Sequence, residues 1–140
     1  MIKDEYTGYI IAVVKLKDIE ELKRLPGDLK IILDYRDIPS KEYLLAALHN
    51  FLETNYLKDN WIRDDVYRFL AFIYRETQID KIIDRVKNII DPVAIIIVKD
   101  GKDKPLDIDK EMIINLKSSF EGIDELAIFR LYLEKERGRF

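Results

Sequence analysis

The chain has 140 residues, 48% of them hydrophobic and 36% charged, with a net charge of −3. That length and composition suit one domain with one sizeable core, and the interspersed charge argues against non-specific nucleic-acid binding through an overall basic field, while leaving room for a small basic groove. There are no cysteines, which excludes a disulfide framework, a thiol nucleophile and a cysteine metal site.

The opening residues, Met1-Ile2-Lys3-Asp4-Glu5, turn acidic at once and contain no signal-peptide run. Gly8 to Lys15 (GYIIAVVK) is rich in β-branched residues and reads as a buried strand. Asp18-Ile19-Glu20-Glu21 has capping-box spacing, and Leu16, Ile19, Leu22 and Leu25 predict a short helix that Pro26-Gly27 stops. Leu29 to Leu33 is a second strand. Pro39 biases Ile38 toward an extended backbone, and Ser40 caps a helix whose apolar stripe is Leu44, Ala47, Leu48, Phe51 and Leu52. A polar link, Lys58 to Ile62, leads to Asp64 and Asp65, acids that favour a helix N-terminus. Val66, Phe69, Leu70 and Ile73 form that helix's core stripe. Thr77 is expected to cap a third helix, with Ile79, Ile82, Ile83, Val86 and Ile90 inward and Asp91-Pro92 as the stop.

Val93 to Lys99 (VAIIIVK) reads as a strand buried on both faces, and Asp100-Gly101 as a turn. The apolar run from Val93 to Val98 is too short to span a bilayer. A cytoplasmic protein without a membrane partner is expected. Asp107 to Phe120 predicts a helix carrying Ile108, Met112, Ile113 and Leu116, with Met112-Ile113-Ile114 as a short strand in the alternative reading. Gly122 breaks the chain, Ile123 to Leu133 favours helix over strand, and Arg137 to Phe140 reads as a frayed tail. Strands separated by helix groups predict an α/β or α+β fold: one domain over residues 1–140, a small mixed sheet with helices packed around it.

Covalent chemistry has few parts here. The single histidine, His49, lies mid-helix, where a surface or half-buried role is the ordinary one. Ser118 and Ser119 lack a G-x-S-x-G context, and the five glycines match no phosphate-loop spacing. Asp107, Asp109 and Glu111 alternate, but hard-cation sites need carboxylates converging from several elements. Asp100 to Lys104 starts like a calcium loop and lacks its later ligands. No catalytic residue, metal or cofactor is expected.

The nucleic-acid signal is local. Leu57 to Ile90 holds seven basic and six acidic residues, so the segment is almost neutral. Arg68, Ala71, Phe72 and Arg75 nevertheless share the three-and-four spacing of one helix face, with Lys58, Trp61 and Arg63 in the loop before it. Arginines pair with phosphates bidentately, and an aromatic stacks an unpaired base. The bland alternative is a solvated face, with Arg68 pairing Asp64 or Asp65.

Ile38-Pro39-Ser40, Tyr43-Leu44-Leu45-Ala46-Ala47 and Arg68-Phe69-Leu70-Ala71-Phe72-Ile73 leading into Thr77-Gln78-Ile79 together resemble the small regulatory subunit of the KEOPS complex, the family of the PRPK-binding protein in animals. The resemblance covers most of the chain. It departs at Arg68, where the family has a glutamate, at Arg75, where a small residue or glycine is common, and at Ile82, where alanine is usual. It implies a non-catalytic subunit. Such a subunit binds and regulates the complex's atypical protein kinase, which acts as an ATPase. It also binds tRNA through the single-stranded 3′ CCA end and supports threonylcarbamoyladenosine synthesis, with the other KEOPS subunits engaged indirectly. On that reading Lys58, Arg63, Arg68 and Arg75 hold phosphates, Trp61 or Phe72 meets a base, and Phe72, Ile79 and Ile83 supply an apolar kinase contact. Two other readings stand beside it: a pure protein-interaction module, and a small enzyme using Asp34, Asp37, Asp107 and Asp109.

Overall fold

The computed structural model describes residues 1–18, 20–99 and 108–138. The Asp100-Gly101 turn, Asp107 and the final two residues of the tail lie outside them. The fold is α+β, as expected. Its residues group into two compact units, each built from two stretches of chain.

The first unit comprises Met1–Tyr35 and Ile89–Asn115. Its strands are β1 (Ile2–Asp4), β2 (Tyr9–Lys15), β3 (Leu29–Asp34) and β4 (Pro92–Lys99), in the order β1-β2-β4-β3. Every pairing is antiparallel, so the sheet is not the mixed one expected. β1 escapes sequence reading because three residues with one apolar side chain show no period. A turn at Gly8 (φ 76°) joins it to β2, and Asp4 holds that turn by accepting the Thr7 hydroxyl at 2.6 Å.

β4 is central, and Val93 to Ile97 are all buried. Ile11, Val13, Ile31, Leu33, Val93, Ile95 and Ile97 are in register on one face, while Ala12, Val14, Ile96 and Ile108 cluster on the other. Continuous β-branched runs give strands with no solvated face. The short α1 (Glu20–Arg24) is capped as predicted, Asp18 accepting from the Glu21 N–H at 3.0 Å. Gly27 (φ 136°) stops it in a place where a Cβ would come within 2.6 Å of Ile96 Cγ2.

The helix predicted from Asp107 to Phe120 does not form. The chain makes one 3-10 turn at Lys110–Met112, then Ile113 bridges Val14, and Ile114 N–H donates to Val13 O at 2.8 Å. The physical reason is an unfilled sheet edge. β1 pairs only with Tyr9 to Ile11, so the β2 backbone beyond it needs partners, which the β-branched Ile113-Ile114 pair supplies. The alternative reading of this stretch as a short strand is nearer the truth.

The second unit comprises Arg36–Asn88 and Leu116–Phe140. It holds α2 (Lys41–Glu53), α3 (Asp65–Tyr74), α4 (Ile79–Lys87) and α5 (Ile123–Arg137). α2 packs on α3 and α5, and α3 on α4. Leu44, Leu48, Leu57, Phe69, Leu70, Phe72, Leu126 and Leu133 are at most 1% exposed and form the core. Ser40 caps α2, its Oγ accepting from Tyr43 N–H at 3.1 Å and donating to Ser119 O at 2.8 Å. Glu42 accepts from the Ser118 hydroxyl and from Ser119 N–H, and these bonds hold its carboxyl below the usual range. The start of α2 is thereby tied to the segment before α5.

α4 differs from its prediction in two ways. Gln78, not Thr77, occupies the cap and its side chain makes no capping bond; just before the helix the Glu76 carboxylate accepts from Thr77 N–H at 2.6 Å and Gln78 N–H at 3.3 Å. The helix ends at Lys87, and of its five expected inward residues only Ile82 is buried; Ile79 and Ile90 are exposed. Among the described residues no helix is long and apolar enough to cross a membrane.

Candidate functional site

Within the helical unit the distinctive place is the corner where α3 gives way to α4. Asp64 starts α3 by accepting from Tyr67 N–H at 3.1 Å. After the ten residues of the helix, Arg75 ends it in the left-handed conformation, φ 51° and ψ 51°, the only non-glycine residue with positive φ among those described. Glu76 N–H reaches back to Ala71 O at 3.0 Å and Arg75 N–H to Phe72 O at 3.3 Å, which closes the helix in a Schellman-type turn. Glycine is the usual occupant of that position, because a Cβ there costs roughly 1 kcal/mol.

An open cleft of about 310 Å³ lies at this corner. Arg36, Arg75 and Arg85 line it, opposed by Asp37, Glu121 and Glu125, with Tyr43 and Tyr74 in its wall. The arginines are not equivalent. Arg85 is held, its guanidinium 4.9 Å from the Tyr74 ring centroid and 3.9 Å from Asp37 Oδ1. Arg75 is exposed and forms no ion pair among the described residues. It is the cleft's available cation.

Tyr43 joins the cleft to the core. Its ring is buried and its hydroxyl donates to Ile73 O, in the last turn of α3, at 2.7 Å. Gly122 (φ 83°) lets the start of α5 pass over this ring, since a Cβ would lie 2.9 Å from it. Burial pushes the Tyr43 phenol above its ordinary value, and the nearby positive charge of Arg75 works against that shift. A raised phenol pKa means the folded state prefers the neutral form. The associated stability is complete below about pH 10 and is lost as pH rises through the folded-state value. Tyr43→Phe should therefore flatten the alkaline limb of urea midpoints measured from neutral pH upward, while costing about 1 kcal/mol at pH 7 for the lost hydrogen bond.

The residues expected to form an RNA surface divide sharply. Lys58, in a 3-10 turn (Asn55–Asp59), and Arg63 are exposed. Trp61 is half-buried, its Nε1–H donating to Thr77 O at 3.1 Å. Arg68 and Phe72 are core residues, 1% and 0% exposed, so neither offers a surface for phosphate or base. Arg68 turns back toward the chain before α3, reaching Asn55 Oδ1 at 3.0 Å and Asp65 at 3.1 Å, over the Phe51 ring at 4.5 Å. Of its two weighed partners, Asp65 is the one chosen. Phe72 is closed in edge-on by Trp61 and Phe129, at 5.9 and 5.8 Å. It is thereby removed from the apolar partner contact as well. Ile79 remains 45% exposed and Ile83 half-buried on the same α4 face.

Of the carboxylates weighed for enzyme chemistry, Asp107 lies outside the described residues and the other three have structural duties. Asp34 is buried and accepts from Ile90 N–H at 2.9 Å, Asp37 faces Arg85, and Asp109 caps the turn at Glu111. Arg36, Arg85, Tyr43 and Tyr74 were not foreseen as cleft residues. They come from a 3-10 turn (Tyr35–Asp37) and three helices, and no spacing in the sequence links them.

No protein family model matches the sequence, and no curated protein matches it.

Proposed function

We propose that this chain is a non-catalytic, cytoplasmic subunit of a KEOPS-type complex for tRNA threonylcarbamoyladenosine synthesis, needing no cofactor of its own. It binds and regulates the complex's atypical protein kinase and helps to recruit tRNA through its 3′ CCA end. The observation that carries the tRNA half is Arg75, an exposed arginine without an ion pair among the described residues, in a strained backbone position lining a cleft. Strain retained where a glycine would relieve it is the mark of a residue kept for its side chain. The proposed phosphate contacts are Arg75, with Lys58 and Arg63 on the exposed approach to α3, and of the two aromatics expected to meet a base, Trp61 is the one not fully buried. The kinase half rests on the resemblance and on the exposed Ile79 with Ile83 beside it on α4.

Arg75→Gly separates binding from folding by opposite signs. Stability should rise by about 0.5–1 kcal/mol as the left-handed strain is relieved. Affinity for tRNA should fall, with the salt dependence shallower by about one phosphate contact. Filter binding across a salt series, with intact tRNA and tRNA lacking its CCA end, reads both. Equal affinity and equal salt slope for the variant would remove Arg75 from the site. A pure protein-interaction module is the second reading, favoured by Asp37, Glu121 and Glu125 facing the arginines in the same cleft. It requires that the wild-type chain show no salt-dependent tRNA binding while still co-purifying with the kinase subunit.

A further inference from the structure

α5 carries two apolar stripes on opposite sides. Leu126, Phe129 and Leu133 are buried in the helical unit. Asp124, Ile128, Leu131 and Lys135 follow steps of four, three and four residues, so they form one line on the far side of the helix. All four are exposed, Ile128 at 65% and Leu131 at 67%, and Tyr132 beside them at 51%. Single exposed apolar residues are ordinary. Two in a four-three line, bounded by an acid at one end and a base at the other, have the pattern of a helix-pairing seam.

That line is its own complement when reversed. Turned end for end about its midpoint, Asp124 meets Lys135 and Ile128 meets Leu131. Neither Asp124 nor Lys135 forms an ion pair among the described residues, so both charges are available. The macrodipoles of two antiparallel helices also attract. We infer that α5 is a self-association surface, pairing antiparallel with α5 of a second copy of this chain about a two-fold axis near the middle of the helix. A two-fold interface requires a self-complementary patch, and a second copy presents the required reversed order of charge and apolar residues. Two Ile128–Leu131 contacts form the centre and two Asp124–Lys135 pairs the ends.

Sedimentation equilibrium of the full chain, from about 10 μM to about 1 mM because one helix pair is a small interface, should show reversible dimers. Ile128→Asp with Leu131→Asp should leave only monomer, with unchanged circular dichroism and melting because both positions are exposed. Asp124→Lys and Lys135→Asp should each weaken dimerisation about tenfold, since each puts like charges at both ends. The double charge swap should recover most of that loss, an outcome that only the antiparallel register gives. A wild-type chain monomeric throughout overturns the inference, as does a dimer indifferent to the aspartates or a double swap no better than the singles. If the wild type is monomeric and the aspartates instead abolish capture of a different protein, the face belongs to that partner and self-association is wrong.

Discussion

Phe72→Ala should destabilise the protein by about 3–5 kcal/mol, among the largest losses available from a single substitution. Phe72 is 0% exposed, and its ring is boxed by Trp61 and Phe129 in edge-to-face contacts that contribute beyond their burial. Truncation leaves a void the size of a benzene ring where α3, α5 and the chain preceding α3 converge. Phe72→Leu, which retains most of the volume, should cost roughly half as much or less. Urea denaturation of the three proteins gives the ordering directly. The comparison also separates two roles for this side chain. A base-stacking residue would lose RNA affinity on substitution with little change in stability. A core residue loses stability first, and RNA binding only as the protein unfolds. A Phe72→Ala chain of near wild-type stability would contradict its place in the core.

The second large effect is at Arg68. Its guanidinium is almost wholly buried, yet its partners are unequal. Asn55 Oδ1 and Asp65 Oδ1 lie close, the carbonyls of Ile62 and Arg63 only at 3.5 Å, and Nε has no hydrogen-bond partner among the described residues. Asp65 is itself 61% exposed, so the ion pair is partly screened by water and contributes little alone. The larger contributions are packing of the side chain over Phe51 and the hydrogen bond to Asn55 Oδ1. Arg68→Ala removes these together and should cost about 2–4 kcal/mol. Arg68→Met keeps the stem, removes the poorly satisfied charge, and should cost clearly less. Equilibrium unfolding of both variants tests this. Alanine and methionine of equal, small effect would mean that the arginine is solvated after all. Both variants should keep tRNA affinity wherever they remain folded, which distinguishes Arg68 from Arg75.

α3 explains why the site was only partly legible in the sequence. The spacing of Val66, Phe69, Leu70 and Ile73 identifies one buried stripe, and the same three-and-four spacing puts Arg68, Ala71, Phe72 and Arg75 on a second face, expected to be exposed. In the folded chain Arg68 through Tyr74 are all buried. A helix packed on several sides has no solvent face, and its charged member then has to find partners inside. Periodicity reports that residues share a side; it does not report what covers that side. Arg75 survives as a candidate for a different reason from its helical spacing. It lies past the last turn, where the backbone reverses, and there the side chain leaves the stripe it would have continued.

By itself the sequence determined the elements with strong local causes. Strands β2, β3 and β4 followed from their β-branched runs, α2 from Ser40 and its apolar stripe, α3 from its leading acids, and the stop of α1 from Pro26-Gly27. Each signal acts between residues no more than about four apart, so no partner element is needed to read it. Only the tertiary structure decided that every strand pairing is antiparallel and that Ile113-Ile114 fills an open edge of β2 instead of extending a helix. The same holds for the burial of Arg68 and Phe72 and for the meeting of Arg36, Arg75 and Arg85 around one cleft. Those outcomes depend on backbone groups seeking partners and on helices covering one another across tens of residues, and such long-range contacts leave no period in the chain.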